Sequence, residues 1–385
     1  MVGREARSLV AFYFFYFCAL GAFMPYWGPW LASVGQGALS IGILTAAVQF
    51  SKVLGPNLWG WLAQGFGSAR IVPLAALLTA AGFLALELVR GNFWGLLFIT
   101  LAFSFFWAAT LPLVDATTLD WAEREGRAYG RIRLWGSLGF IALALGMGLL
   151  VQIWGLDVFL PGIATFLAVA WWFSRRLPYP PRSSGPERVS LGPQLRDWRL
   201  WAFLAAGALE QASHGVYYAF FSIDAQAHGL NAGWVGLLWS WAVICEVLFF
   251  WFGERILRRF GLRMVLISAF VLTGTRWLVI AAWPGLIPIF LIQSLHAFSY
   301  GAFHLAAVHW IFARFPAYLR SRGMALYASL VYGLGGGLGA LAAGWAWGHW
   351  GSLWAFAAAG ILAWLGLLGL IPALRPLKRG VAAII

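Results

Sequence analysis

The sequence predicts an all-α membrane protein of twelve transmembrane helices in two pseudo-symmetric six-helix bundles. The first observation is composition. Of 385 residues, 62% are hydrophobic and only 10% charged, with 25 Trp and 31 Phe, more apolar surface than a soluble domain can hide. The second is spacing. Turn and charge signals divide the chain into apolar stretches at 8–33, 39–64, 70–89, 93–119, 131–153, 157–176, 198–223, 231–254, 262–282, 285–313, 320–347 and 352–374. Each is near or above the ~20 residues that a crossing helix needs. The third is charge placement. Of 26 Lys and Arg, 23 fall in the N-tail, the C-tail and the loops after even-numbered stretches or within the first or last few residues of the stretches that border them, among them Arg4, Arg70, Arg131, Arg182, Arg255, Arg320, Lys378 and Arg379. The positive-inside rule therefore places both termini in the cytoplasm.

The elements follow in order. Arg4 and Arg7 precede an apolar run that reaches Leu31 through Pro25 and Pro29. That run is far longer than the 7–15 residue core of a secretory signal, so it is a first helix. Arg90 lies on the opposite side from the other loop cations, and Lys52 and Arg276 lie inside stretches. The net charge of +13 is thus a topology signal, and no nucleic acid is expected as a partner. Cys18 and Cys245 sit inside apolar stretches and read as small core residues.

A polar stretch with Pro178, Pro180, Pro181, Ser183, Ser184, Gly185 and Pro186 cannot cross a membrane. It divides the chain into an N-terminal bundle at 1–176, a cytoplasmic linker at 177–197 and a C-terminal bundle at 198–385. Phe66-Gly67 with Arg70 is echoed by Phe260-Gly261 with Arg263, an offset of 194 residues. Parallel halves of six helices resemble the major facilitator fold, whose substrate site lies near the midplane. Gly60-Trp61-Leu62-Ala63-Gln64-Gly65-Phe66-Gly67-Ser68-Ala69-Arg70 resembles that superfamily's loop signature, with Gln64 in place of the acid. In the eleventh stretch Gly333, Gly335, Gly336, Gly337 and Gly339 are not followed by Gly-Lys-Ser/Thr, which excludes a phosphate loop. Close packing or a bending point is expected there.

Ionisable groups inside hydrocarbon mark functional positions. Lys52 lies 13 residues into its stretch, ~20 Å deep at 1.5 Å per residue. It is either tied to helix-end carbonyls or is a cavity-facing cation for an anionic substrate. Asp115 and Arg133 lie in the cytoplasmic halves of neighbouring stretches, either as an interfacial ion pair or as substrate contacts. Glu246, Arg276, His296 and His304 lie on successive stretches and outline a path for protons. Burial disfavours a charged carboxylate and a nearby guanidinium favours it, so an exchange of partners can load and release a proton. Imidazole titrates near the working pH, although His304 is equally readable as a hydrogen-bonded core residue. Glu210 and His214 lie one turn apart on one helix face, with Tyr217 and Tyr218 beyond them.

Gly130-Arg131-Ile132-Arg133-Leu134-Trp135-Gly136-Ser137-Leu138-Gly139-Phe140 resembles the fifth helix of lactose permease. In that family an acid 18 residues before the second Arg pairs with it and helps to hold substrate, which points to Asp115. Leu295-His296-Ala297-Phe298 resembles the tenth helix, with Ser299 in place of a carboxylate central to proton release. Phe23-Met24-Pro25-Tyr26-Trp27, Tyr129 to Ser137, Leu238-Trp239-Ser240, Arg276-Trp277 and His304-Leu305-Ala306-Ala307 resemble the phenylpropionate transporter branch of the superfamily. The resemblance implies alternating-access symport of a proton with a small aromatic carboxylate. Lys52, Asp115 and Arg133 would bind the substrate, with Tyr26, Trp27, Phe140, Tyr217, Tyr218 and Trp239 stacking on it. Glu246, Arg276, His296, His304, Glu210 and His214 would couple the proton.

Alternatives are a nucleoside or sugar symporter and an efflux pump for amphipathic compounds. An enzyme is not expected, since His-Glu-x-x-His, Gly-x-Ser-x-Gly and Cys/His clusters at zinc spacing are absent from the sequence. No metal or cofactor is expected. The partners are the small molecule, protons and the lipid bilayer, and the expected form is a monomer in the inner membrane of a bacterium.

Overall fold

A backbone in hydrocarbon must satisfy its own polar groups, which leaves helices as the solution for these apolar stretches. The computed structural model describes residues 3–180 and 192–374, and its regular elements are all helical. Arg182, Lys378, Arg379 and the Ser/Pro-rich centre of the expected linker lie outside those residues. The membrane helices are α1 (Arg4–Ser33), α2 (Ala38–Phe66), α3 (Ser68–Ala85), α4 (Phe93–Arg124), α5 (Tyr129–Trp154) and α6 (Phe159–Ser174). A seventh, α7, runs over Trp198–Ser213 and resumes as Gly215–Ala227. The run Ala232–Ala282 is two helices divided at Gly261, here α8 and α9, followed by α10 (Leu286–Arg314). The run Arg320–Ala373 divides at Gly351 into α11 and α12. Among the described residues nine helical runs are long and apolar enough to cross a membrane, and with two of them divided at a glycine and α7 added they are consistent with twelve helices.

The turns repeat the halves more fully than the sequence echo does. Gly67 and Gly261 both take a left-handed φ, of 84° and 74°, a region that glycine enters without steric cost. Gly155 and Gly351 share φ 76° and ψ −177° at the turns into α6 and α12. Gly35 pairs with Gly229, and Gly91 with Gly285, each 194 residues apart and each with positive φ. Among the described residues polar caps begin three of the helices, Asn231 Oδ1 accepting from Trp234 N at 3.1 Å ahead of α8. Asn92 Oδ1 accepts from Gly95 N at 3.1 Å, and Asp197 Oδ1 accepts from Arg199 N at 3.0 Å.

Residues Met1–Pro186 with Tyr218–Ser240 form one compact unit, and Glu187–Tyr217 with Trp241–Ile385 form the other. The hairpin of α7 and α8 therefore contributes its outer ends to the first unit. There Tyr26 Oη donates to the carbonyls of Ala144 and Ala232, both at 3.0 Å.

Small residues let backbones approach where apolar side chains cannot distinguish a helix from lipid. In the first unit α1 and α5 meet through glycine. A Cβ on Gly139 would lie 2.9 Å from the Phe14 carbonyl carbon, and one on Gly21 would lie 2.8 Å from Phe140 Cα. The second unit repeats this between α7 and α11. A Cβ on Gly335 would lie 2.8 Å from Ala208 Cα, and Gly339 lies against the backbone of Ala212. The glycine run of the eleventh stretch is a packing surface, and residues Ala328–Gly335 also wind as a π-helix.

A Gly139→Leu substitution should therefore lower the melting temperature of the purified protein by several degrees, as overpacking by about 1–3 kcal/mol does. Gly146→Leu, on the same helix with open space around it, should leave the melting temperature unchanged. Equal effects of the two substitutions would show that the α1–α5 contact is not close-packed.

Candidate functional site

In the first unit three helices bring polar groups together. Asp115 lies on α4, Tyr13 on α1 and Tyr129 at the start of α5. Tyr13 Oη donates to Asp115 Oδ1 at 2.5 Å and Tyr129 Oη donates to the same oxygen at 3.0 Å. The sequence reading expects Arg133 as the partner of Asp115, and the geometry differs. Among the described residues Arg133 has no carboxylate within 4.0 Å. Its guanidinium lies over the Phe17 ring at 4.0 Å from the centroid, and 5.8 Å from that of Tyr13. Gly136, one turn beyond Arg133, makes this stack possible. A Cβ there would come within 2.8 Å of both Arg133 Nη1 and Phe17 Cδ2. The physical reason for the difference is that two phenol hydroxyls, from α1 and α5, reach the carboxylate and saturate one of its oxygens.

Lys52, midway along α2, is exposed at the surface of the first unit, and its Nζ donates to Gln49 Oε1 at 2.5 Å. Among the described residues it too has no carboxylate within 4.0 Å. Its hydrogen bond goes to a side-chain amide one turn earlier and not to helix-end carbonyls.

In the second unit Arg276 on α9 is fully buried. Its Nη2 and Nε donate to Gln293 Oε1 at 2.6 and 3.2 Å, and its Nη1 donates to Ser299 Oγ at 3.0 Å. The rings of Tyr217 and Trp277 flank the guanidinium at 4.5 and 4.6 Å. Gln293 Nε2 in turn donates to Tyr217 Oη at 3.1 Å, which fixes the orientation of the amide. Arg276 Nη1 also lies 3.1 Å from His296 Nδ1, and His296 Nε2 lies 3.2 Å from Glu246 Oε2. A guanidinium only donates, so Nδ1 is the acceptor and the imidazole proton sits on Nε2, aimed at Glu246. Glu246, His296 and Arg276 thus form one chain across α8, α10 and α9.

The backbone of α10 is irregular at this point. Residues Ala297–Ala302 wind as a π-helix immediately after His296. Such segments concentrate at functional sites because they shift side chains off the regular helical face. The rings of His296, Tyr300 and His304 lie nearly parallel along α10, at interplanar angles of 12° and 7°. His304 Nδ1 lies 3.0 Å from Tyr332 Oη, and Tyr332 Oη lies 3.2 Å from Tyr327 Oη. Both tyrosines flank or occupy the π-helix of α11, so the two irregular segments are joined by hydrogen bonds.

Glu210 and His214 form a second cluster, where α7 breaks. Both are fully buried. His214 Nδ1 donates to the Glu210 carbonyl at 3.1 Å and lies 3.7 Å from Glu210 Oε1. Thr273 Oγ1 lies 2.8 Å from the Ala269 carbonyl and 3.3 Å from Glu210 Oε1. The threonine hydroxyl is thus shared between a backbone carbonyl of its own helix and the Glu210 carboxyl group.

The expected aromatic contacts are mostly packed within the protein. Tyr26, Trp27, Phe140, Tyr217 and Trp239 are buried. Trp27 stacks on Trp30 at 5.6 Å, and Trp239 Nε1 donates to Ser222 Oγ at 3.0 Å with Tyr218 stacked beside it. Residues that the sequence reading did not single out are Tyr13, Tyr129, Phe17, Gln293, Tyr327 and Tyr332. The tyrosines and Gln293 are far from their partners in sequence and carry no charge, so they are inconspicuous among apolar residues.

The MFS_1 like family matches residues 6–358. The chain is 32% identical over 327 residues to a protein of Escherichia coli (strain K12) described as "Probable 3-phenylpropionic acid transporter", covering 82% of this chain and 84% of that one. It is 28% identical over 353 residues to the maltose permease of Geobacillus stearothermophilus, covering 90% of each. Among solved structures it is similar to that of the nucleoside transporter NupG, with a TM-score of 0.83 at 17% identity, covering 97% of this chain and 100% of that chain. With its long apolar helices, its repeated turns and its buried charges, the chain is a multi-pass secondary transporter that belongs to the MFS_1 like family of the major facilitator superfamily.

Proposed function

We propose that this transporter carries a small aromatic carboxylate, 3-phenylpropionate or a similar acid, together with a proton. The observation that carries the reading is the Arg133 guanidinium, stacked on Phe17 and without a carboxylate partner among the described residues. A half-buried cation near the start of α5 without such a partner is suited to an anionic ligand. Lys52 offers a second cation on the same unit. The identity to a relative described as a 3-phenylpropionic acid transporter supports an aromatic acid. On this reading the bundles at 1–176 and 198–385, joined by 177–197, rock about the substrate. The protein acts as a monomer in the cytoplasmic membrane of a bacterium, with both termini inside.

The second unit supplies the proton chemistry. His296 Nδ1 accepts either a proton or the Arg276 N–H, never both, because a protonated nitrogen and a guanidinium are both donors. Proton arrival therefore breaks the His296–Arg276 bond, and the Glu246 carboxylate on Nε2 stabilises the imidazolium. Departure restores the bond. Glu210 and His214 hold a further proton-bearing pair on the helix that breaks beside Trp277. Carrying a bare anion inward against the membrane potential costs about 2.3 kcal/mol per 100 mV. A proton carried with it removes that cost.

Counterflow in proteoliposomes with labelled aromatic acids, nucleosides and sugars tests the substrate class. Phenylpropionate or its hydroxylated relatives should exchange, while uridine and maltose should not. The opposite pattern would replace this reading with a nucleoside or sugar symporter. Glu246→Gln keeps an acceptor for His296 Nε2 but removes the charge that stabilises the imidazolium. It should abolish uphill accumulation and leave exchange largely intact, and undiminished accumulation in this variant would remove Glu246 from the coupling.

A further inference from the structure

Asp115 is the nearest acid to Arg133 that the sequence reading offers, yet the two are not paired. The carboxylate is half-buried on α4, and its Oδ1 accepts from Tyr13 at 2.5 Å and from Tyr129 at 3.0 Å. Tyr13 is fully buried and cannot turn away, and it is also one of the rings beside the Arg133 guanidinium. Both phenols therefore occupy an anion that a nearby cation would otherwise compete for, and Tyr13 lies beside both charges. An Asp115–Arg133 pair would leave a site with no net charge, suited to a hydroxylated neutral solute. The arrangement in the structure leaves the guanidinium over Phe17 with its donors uncommitted to any carboxylate among the described residues.

We infer that Tyr13 and Tyr129 determine the charge specificity of the site. By holding Asp115 between two phenol hydroxyls they keep Arg133 for a substrate carboxylate. The inference rests on the anion reading above and names two residues that act through Asp115 without touching substrate. They are positioning residues. Removing both hydroxyls leaves a half-buried carboxylate without donors, and Arg133, beside the Tyr13 ring, is the cation placed to satisfy it. A hydrogen bond from a charged donor is worth about 1.5–3 kcal/mol, so capture of Arg133 by Asp115 should weaken carboxylate binding roughly tenfold or more.

The test is equilibrium binding of 3-phenylpropionate to purified protein, measured on wild type, the double variant Tyr13→Phe/Tyr129→Phe and the triple variant that adds Asp115→Asn. The double variant should bind the carboxylate about tenfold or more weakly. The triple variant, with no carboxylate left to capture Arg133, should return to within a fewfold of wild type. Loss of binding through general damage would not be rescued by a third substitution. A double variant that binds as wild type does would overturn the inference. So would a triple variant as weak as the double with an unchanged melting temperature, because the tyrosines would then act directly. If the double variant loses its thermal transition, Tyr129→Phe with and without Asp115→Asn gives the same comparison at smaller amplitude. Wild-type protein that binds none of the aromatic carboxylates would overturn the substrate reading and this inference together. Wild type that binds them while the variants are unaltered overturns the tyrosines' role alone.

Discussion

Where α1 meets α5, glycine takes the place of side chains, and the polar chemistry of the first unit depends on that approach. Gly21 lies against the Phe140 backbone, Gly139 against that of Phe14, and Gly136 leaves room for Phe17 and the Arg133 guanidinium side by side. In lipid, helices gain nothing by burying apolar surface against each other, so close van der Waals contact of this kind has to hold them. Its consequence is chemical. With α1 this near, Tyr13 reaches Asp115 across α4, and Arg133 finds an aromatic face where an acid was expected. The second unit uses the same device between α7 and α11, through Gly335 and Gly339. Its buried charge, however, is held by side chains from α9 and α10.

The two units solve the problem of a buried guanidinium differently. Arg133 rests on a ring, where the cation–π attraction is modest and the donors stay available. Arg276 has its hydrogen bonds directed to Gln293, Ser299 and His296, of which only His296 changes its bonding when it gains a proton. Ser299 stands where the resembling family carries a carboxylate, and its hydroxyl accepts one of those hydrogen bonds. The protonatable carboxylate of this chain is displaced to α8, one imidazole away from the guanidinium. The π-helical turn at Ala297–Ala302 follows directly and places Ser299 on Arg276. Its counterpart at Ala328–Gly335 carries Tyr332 to His304. Such π segments are rare in regular helices and frequent at functional sites.

Much of the fold was legible in the sequence for a simple reason. Length in the apolar phase and a cation excess on one side are properties of contiguous residues, so α1 to α12 and their turns follow from local reading. Turn glycines such as Gly67 and Gly261 repeat because both halves need the same left-handed residue at the same place. Charges inside spans were legible as well, since Lys52, Asp115, Arg133, Arg276 and Glu246 contrast with everything around them. Their partners were not. Tyr13 and Asp115 are 102 residues apart and Tyr13 is one aromatic among many in α1, so nothing local distinguishes it from its neighbours. Gln293 reads as a polar interruption of an apolar run, and the π turns have no compositional signature at all. The packing of the aromatics proposed to stack on substrate was not legible either. The Tyr26 hydroxyl and the Trp27 ring make contacts within the first unit that no local pattern announces.

Charge balance during transport is the most direct test of this account. Proteoliposomes with an internal pH dye and a clamped membrane potential should acidify inside when phenylpropionate is added outside, faster than protein-free vesicles, which report diffusion of the neutral acid. The protein-dependent rate should be the same at inside-negative and zero potential, because one proton accompanies one carboxylate. A rate that follows the potential, or carboxylate uptake with no protein-dependent acidification, would contradict the pairing of an anion site in the first unit with a proton site in the second.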